Sequence, residues 1–92
     1  MGERPIARDL RIRGRVQGVF YRATLQREAL ARGVTGWVSN EYDGSVRAHV
    51  EGAADAVAGL VAWAREGPPH ARVDAVDEAD ADPEGSADFE VR

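Results

Sequence analysis

The sequence predicts an α+β sandwich in which two helices cover one face of an antiparallel sheet. Three observations support this fold class. Short segments alternate apolar and polar residues, as half-buried strands do, and two longer segments repeat their apolar residues with helical spacing. Turns that contain glycine or proline separate these segments. Their order along the chain is strand, helix, strand, strand, helix, strand, followed by a short closing strand.

The first strand and the first helix are joined by a short loop. Leu10 and Ile12 alternate with arginines, which is typical of a half-buried strand, and this strand is expected to end at Gly14. The segment YRATLQREALARG contains good helix formers, and its final Gly33 is a C-terminal stop signal. The apolar residues of this helix recur at i, i+4 spacing and are Tyr21, Leu25 and Ala29.

The next two strands are predicted to form a hairpin. The segment VTGWVSN has the composition of a strand, and Asp43-Gly44 is a hairpin turn signal. Trp37 and Val38 lie on opposite faces of this strand, so one of them is expected to be partly exposed. In the third strand, SVRAHVEG, apolar and polar residues alternate, and His49 is expected on the polar face.

The second helix and two further strands complete the domain. The helix has the cleanest amphipathic spacing in the chain, and the GPP at 67–69 ends it; its apolar residues are Val57, Leu60, Val61 and Ala64. A fourth strand is predicted in ARVDAVDEAD. Val73 and Val76 are three positions apart and would therefore lie on opposite faces of a regular strand. A short final strand is predicted in DFEVR. This order is the split βαβ arrangement of a ferredoxin-like sandwich, predicted as a single domain over residues 1–92.

The composition is that of a globular protein, with 43% hydrophobic and 30% charged residues. No apolar run approaches the ~18 residues of a membrane span and the N-terminus has no signal core, so a cytoplasmic location without a membrane partner is expected. The absence of cysteine excludes disulfides and thiolate chemistry. Residues 1–72 carry a formal charge of +3 and residues 73–92 a charge of −7, which argues against a nucleic-acid partner.

The candidate site is the segment GRVQGVFYR, Gly14 to Arg22. A loop that opens a helix points backbone N–H groups outward, and the helix dipole adds about half a positive charge. Gly14 and Gly18 allow a close approach to a ligand, and Arg22 offers two parallel donors. The segment therefore predicts a cradle for an oxyanion, with a tight turn beside surface arginines as the alternative. Its spacing does not fit a nucleotide P-loop.

Two linked motifs resemble the acylphosphatase family, small enzymes that hydrolyse carboxyl–phosphate mixed anhydrides. The motifs are GRVQGVFYR and, further along the chain, GWVSN with DGSV. The resemblance is dense from about Asp9 to Gly52, and beyond it only EGPP and FEVR are similar. The family's ferredoxin-like fold agrees with the predicted order of elements. The resemblance implies an acylphosphatase that acts on a small-molecule acyl phosphate without a cofactor or a metal.

The resemblance also implies roles for individual residues. Arg22, the last residue of GVFYR, falls on the family's phosphate-binding arginine, and Asn40, the last residue of GWVSN, falls on its water-orienting asparagine. Glu41 stands where many members have threonine, and its carboxylate would weaken anion binding unless it points to solvent. Tyr21 replaces a more frequent phenylalanine and is expected to change little. The cradle of backbone N–H groups falls on six consecutive residues: Arg15, Val16, Gln17, Gly18, Val19 and Phe20.

An acyl phosphate needs few catalytic groups. Its leaving group is a carboxylate with a conjugate-acid pKa of ~4.3, which departs without a proton. Phosphoryl transfer passes through a loose transition state in which positioning and charge stabilisation dominate. Arg22 and the loop N–H groups would hold the phosphoryl oxygens, Asn40 would aim a water, and the proton can pass to the phosphate. The loop therefore needs no nucleophile or acid of its own.

Other function classes fit the same fold. One is a sensor that binds a phosphorylated metabolite without hydrolysing it. Another is an RNA-binding sheet, which would need aromatic residues on its exposed central strands, but DLRIRG and SVRAHVEG have none. A third is a domain of a larger maturation enzyme, although the length favours an independent protein, expected to be a monomer. A metal site is not expected, because His49 and His70 are separated by the second helix. Ser39 and Ser45 have no partners for a hydrolase triad. Trp37 and Trp63 are expected to be packing residues.

Overall fold

The computed structural model describes residues 4–92, so the first three residues of the predicted domain lie outside the described part of the chain. The elements follow the predicted order: β1 (Ile6–Arg15), α1 (Tyr21–Ala31), β2 (Thr35–Asn40), β3 (Val46–Gly52), α2 (Ala54–Glu66), β4 (Arg72–Ala81) and β5 (Phe89–Val91). The sheet has the strand order β4-β1-β3-β2-β5. This confirms the ferredoxin-like sandwich predicted from the sequence.

One pairing differs from the predicted antiparallel sheet. β5 pairs in parallel with β2, while β1, β3, β4 and β2 pair antiparallel with their neighbours, so the sheet is mixed. The parallel pairing follows from the path of the chain, because residues 82–88 cross from one edge of the sheet to the other before β5 begins. Among the described residues, no helix is long and apolar enough to cross a membrane.

The core lies between the helices and one face of the sheet. The residues predicted to form the inner faces of the helices are all buried: Tyr21, Leu25 and Ala29 on α1, and Val57, Leu60, Val61 and Ala64 on α2. They pack against strand residues that are completely inaccessible to solvent, among them Ile12, Val38 and Val46. Burying each large side chain contributes about 1.5–3 kcal/mol. The packing of apolar side chains therefore holds both helices against the sheet.

A β-bulge explains why Val73 and Val76 are out of phase in the sequence. Arg13 pairs with Ala75, but the next residue, Gly14, pairs with Val73, so Asp74 is an extra residue on β4. Val73 packs against the core and Val76 is buried. The backbone of Gly14 has φ +132°, and a Cβ atom there would lie 2.1 Å from the main-chain oxygen of Arg72. Only glycine fits this close approach at the exit from β1.

Candidate active site

The loop between β1 and α1 forms one wall of the candidate site. Arg15 is still the last residue of β1, where it pairs with Arg72, so the loop itself spans residues 16–20 of the predicted cradle. Val16 is buried in the core and fixes the start of the loop. Val19 packs against the core from the other end of the loop, while Gly18 between them is exposed.

The backbone of this loop has an unusual conformation. Gly18 has φ +74° and Phe20 has φ +62°, with Val19 between these two left-handed residues. Left-handed residues in a tight turn are typical of anion-binding nests, in which successive backbone N–H groups point to one side. Phe20 is the only residue other than glycine with positive φ among residues 4–92, and this backbone costs about 1–3 kcal/mol. Strain of this kind is concentrated at functional sites.

The N-terminus of α1 faces the same space. Its N-cap is Phe20, no side chain among residues 4–92 caps the helix, and its first turn contains no acidic residue. Helices normally satisfy their first N–H groups with a side-chain oxygen and favour negative charge at this end. Here both features are missing, and Arg22 adds a positive charge to the first turn instead. The helix end is therefore suited to an anion from outside the chain.

Arg22 and Asn40 line the same cavity, although eighteen positions separate them in the sequence. Arg22 is half-buried and donates through Nη1 to the main-chain oxygen of Arg92 at 2.6 Å. Asn40 is the last residue of β2 and pairs with Val46 of β3. The cavity has a volume of about 290 Å³, and its lining also contains Val16, Gly18, Phe20, Tyr21, Ala23 and Val91.

The turn between β2 and β3 holds Asn40 at the end of its strand. The N–H of Glu41 donates to the oxygen of Ser45 at 2.9 Å, and the N–H of Gly44 donates to the oxygen of Glu41 at 3.1 Å. The Asp43 carboxylate accepts from the hydroxyl of Ser45 at 2.6 Å and from its N–H at 2.9 Å. These two hydrogen bonds lower the pKa of Asp43. The polar groups named here therefore find hydrogen-bond partners within the turn.

The carboxylate of Glu41 is turned towards a neighbour on β2. The Ser39 hydroxyl donates to Glu41 Oε2 at 3.2 Å. In the described part of the chain no ion pair joins Glu41 to Arg22. Glu41 is half-buried and lies outside the lining of the cavity that Arg22 and Asn40 share. Glu41, which replaces the threonine of many members, thus does not compete for Arg22.

Tyr21 does more than fill an apolar site. Its side chain is 1% exposed, and its hydroxyl donates to the main-chain oxygen of Ala64 at 2.7 Å. If the helix continued, the N–H of residue 68 would donate to this oxygen. Residue 68 is a proline, however, and has no N–H. The hydroxyl therefore satisfies a carbonyl at the end of α2. Burial raises the pKa of Tyr21 well above its usual range, so the hydroxyl stays protonated.

The two tryptophans lie in different surroundings. Trp63 packs against the core with its ring 5.7 Å from that of Tyr21, as expected of a packing residue. Trp37 lies on the opposite face of β2 from the buried Val38, and it is partly exposed. The guanidinium of Arg92 lies 4.6 Å from the centre of its ring. Trp37 is thus covered by a cation from the chain itself.

His49 lies on the polar face of β3, as expected, but it is buried there. This is the sheet face away from the helices, and His49 is 2% exposed. Its Nδ1 lies 2.8 Å from Asp9 Oδ1 and its Nε2 lies 2.7 Å from Glu51 Oε2. A neutral imidazole has one N–H, so two ionised carboxylate partners favour the protonated form, in which both ring nitrogens donate. Burial opposes this charge, but the hydrogen bonds to Asp9 and Glu51 outweigh it and raise the pKa of His49.

Glu51 joins this cluster to the crossover between β4 and β5. Its carboxylate accepts from the N–H groups of Glu84 and Gly85, at 2.8 and 3.1 Å, and from the Ser86 hydroxyl at 3.2 Å. Burial opposes the ionisation of Glu51, but these bonds and the one to His49 outweigh it and lower its pKa. The arrangement is a buried ion-pair network, which the sequence analysis missed.

A signal for this network was present in the sequence. Asp9 and His49 are partners in the β1–β3 ladder, and Glu51, two residues after His49, lies on the same face of the strand. His49, Glu51 and Glu84 bring three potential ligand atoms within 4.8 Å of one another. The 2.7 Å separation of His49 Nε2 and Glu51 Oε2 is that of a hydrogen bond. His70, by contrast, is exposed in the loop after α2.

Comparison with known proteins gives consistent matches over almost the whole chain. The acylphosphatase family model matches residues 8–91. The acylphosphatase of Azoarcus sp. (strain BH72) is 57% identical over 84 residues, which are 91% of this chain and 86% of that protein. The structure of an acylphosphatase from Coxiella burnetii superposes with a TM-score of 0.93 at 35% identity, covering 97% of this chain and 94% of the other. The acylphosphatase structure from Bacillus subtilis has a TM-score of 0.92 at 32% identity, covering 95% and 98%.

Proposed function

This chain belongs to the acylphosphatase family, and we propose that it hydrolyses the carboxyl–phosphate bond of a small acyl phosphate to a carboxylate and inorganic phosphate. The reaction in this proposal needs neither a metal nor a cofactor. The observation that supports it most is the shared cavity, whose lining contains Arg22, Asn40 and the loop residues Gly18 and Phe20 with their positive φ angles.

The loop and Arg22 bind the phosphoryl group in this proposal. Backbone N–H groups of residues 16–20, with Arg15 at the end of β1, surround its oxygens. The left-handed backbone of Gly18 and Phe20, which is typical of anion-binding nests, supports this assignment. The contact of Arg22 with Arg92 uses one of the five N–H donors of the guanidinium. The remaining donors can therefore take phosphoryl oxygens as a fork.

Asn40 orients the attacking water. Its amide oxygen accepts a hydrogen bond from the water, which then attacks phosphorus from the side opposite the acyl oxygen. The bond between phosphorus and the acyl oxygen breaks, and its electron pair leaves with the carboxylate. Since an amide is not a strong base, the proton of the water passes to a phosphoryl oxygen. The products are the carboxylate and inorganic phosphate, and no group on the protein changes its protonation state.

Charge stabilisation supplies most of the rate in this scheme. Positive charge and N–H dipoles are aimed at the oxygens that carry the charge of the transition state, and they need no reorganisation when the reaction occurs. Removing one such donor typically costs about 3–4 kcal/mol of transition-state stabilisation. The leaving carboxylate needs no general acid. A site made of one arginine, one asparagine and a loop backbone is therefore sufficient.

The direct test is hydrolysis of benzoyl phosphate, followed as loss of the anhydride, with and without a chelator. We expect equal rates in the two samples. Loss of activity with the chelator would contradict the metal-independent scheme. Binding of inorganic phosphate without any turnover would favour the rival function, a sensor of phosphorylated metabolites. The same samples, run on a sizing column and titrated with RNA, test the predictions of a monomer without a nucleic-acid partner.

A further inference from the structure

We propose that the side chain of Gln17 is a positioning residue for this hydrolysis, because it fixes the distance between the phosphate-binding loop and Asn40. This inference rests on the proposed function. It concerns the side-chain amide of Gln17, whereas the cradle uses its backbone N–H.

The contacts of Gln17 join two separate elements. Its Nε2 donates to the main-chain oxygen of Glu41 at 2.8 Å and to that of Ser45 at 2.9 Å. Both hydrogens of the amide are thereby used. Glu41 and Ser45 directly adjoin the last pair of the hairpin, Asn40 with Val46. Gln17 is half-buried between the loop and the turn, so these bonds are partly shielded from water.

The two carbonyl oxygens that Gln17 contacts also have donors within the hairpin. The oxygen of Glu41 also accepts from the N–H of Gly44, and the oxygen of Ser45 also accepts from the N–H of Glu41. Asp43 holds Ser45 in addition. Removing the amide of Gln17 would therefore leave neither acceptor without a donor. What the two bonds add is a link between the turn and the loop.

This link affects the reaction because the reacting groups are held by the loop and by the hairpin that it connects. The loop and Arg22 hold the phosphoryl group, and Asn40 on the other side aims the water. A displacement of about 1 Å between such groups can reduce the rate by up to about 100-fold. The side-chain amide of Gln17 is bonded to Glu41 and Ser45, so it acts through the position of Asn40 and not by contact with the substrate.

The test uses Gln17→Met, which keeps the length of the side chain and removes both donors. We expect kcat for benzoyl phosphate to fall about 10-fold or more. The inhibition constant of inorganic phosphate should change by less than about 3-fold, since the charge-assisted donors that bind phosphate remain. Gln17→Glu, a variant of equal size that places a carboxylate against two carbonyl oxygens, should lower kcat further.

Gln26→Met is the matched control. Gln26 on α1 also donates through Nε2 to a main-chain oxygen, that of Phe89, at 2.8 Å, and it is also half-buried. The variant loses the same kind of bond away from the loop and the turn, and it should keep the parental kcat. The inference is overturned if Gln17→Met lowers only the melting temperature, or if it weakens phosphate binding as much as it lowers kcat.

A double-mutant cycle separates this inference from the proposed function. If Gln17 acts through Asn40, then Gln17→Met should lower kcat little further in an Asn40→Ala background. Independent, additive effects would overturn the positioning role. If Asn40→Ala alone has the parental kcat, the proposed function fails at Asn40. If Asn40→Ala slows the enzyme and Gln17→Met does not, only the inference about Gln17 fails.

Discussion

Arg22 donates a hydrogen bond of 2.6 Å to the main-chain oxygen of Arg92, which joins the candidate site to the residue that follows β5. Arg92 is itself held, because its N–H donates to the oxygen of Val38 at 2.8 Å and its guanidinium covers Trp37. A long arginine side chain loses up to about 2 kcal/mol of conformational entropy when it is fixed. The contact with Arg92 fixes Arg22 before any ligand binds, so less of this entropy is lost on binding.

Arg22→Lys should mainly weaken phosphate binding. Lysine keeps the charge but lacks the planar fork that gives two parallel bonds. Loss of one charge-assisted bond corresponds to about 1.5–3 kcal/mol, or roughly a 10- to 100-fold rise in the inhibition constant of phosphate. Steady-state kinetics with benzoyl phosphate and phosphate as inhibitor measure this. Arg27→Lys on the exposed side of α1 is the control and should behave as the parent.

Asn40→Ala should lower turnover and leave phosphate affinity nearly unchanged. The methyl group cannot orient a water, while the loop N–H groups and Arg22 still hold the anion. We expect kcat to fall by about 100-fold. Single-turnover and inhibition measurements on the same sample separate the two effects. If both Asn40→Ala and Arg22→Lys matched the parent, these residues would not form the active site.

Tyr21→Phe should destabilise the fold and leave kcat close to the parental value. It removes the only polar atom of a buried side chain and leaves the oxygen of Ala64, which Pro68 cannot serve, without this donor. Leaving a buried acceptor unsatisfied costs about 1–3 kcal/mol. Thermal or urea unfolding measures the change. The fully exposed Tyr42 offers the matched control, Tyr42→Phe, whose melting temperature should equal that of the parent.

Stability should depend on pH through His49. Its pKa is raised in the folded protein, so its contribution is complete below the unfolded value, near 6.5, and is lost as the pH rises through the folded pKa. The pKa of Glu51 is lowered, so its contribution is lost as the pH falls below the unfolded value. Melting temperatures from about pH 6 to about pH 9 should therefore decline in the parent.

The controls for this pH dependence are two histidine variants. His49→Gln removes the titrating group, and the decline above about pH 6 should largely disappear with it. His70→Gln changes an exposed loop residue and should keep the parental profile. A decline of equal size in His49→Gln would assign the pH dependence to other groups.

The sequence was most informative where function and structure depend on neighbours along the chain. The apolar spacing of Tyr21, Leu25 and Ala29 predicted the buried face of α1, and those residues are buried. The two motifs predicted that Arg22 and Asn40 belong to one site, and both line one cavity. Their catalytic roles stay predictions. The single-domain assignment over residues 1–92 and the cytoplasmic location also stay predictions.

The features that sequence reasoning missed depend on contacts between distant segments. The burial of His49 requires Glu51 and residues 84–86 to close over it. The crossover to which they belong, residues 82–88, contains three acidic residues, which suggests exposure to solvent. The partners of the Gln17 amide lie 24 and 28 residues away, at carbonyl oxygens that no motif marks. The parallel pairing of β5 rests on three residues whose direction is set by the path of the chain.

The bulge at Asp74 limits how the binding loop could be transplanted. Gly14 lies against the oxygen of Arg72 because the edge strand carries one extra residue there, and a bulge also increases the local twist of a strand. The loop leaves β1 from this distorted pair. Grafting residues 16–20 onto a regular sandwich would transfer the backbone N–H donors without the orientation that they have here. The recipient sheet would need a β-bulge on its edge strand, opposite the start of the loop.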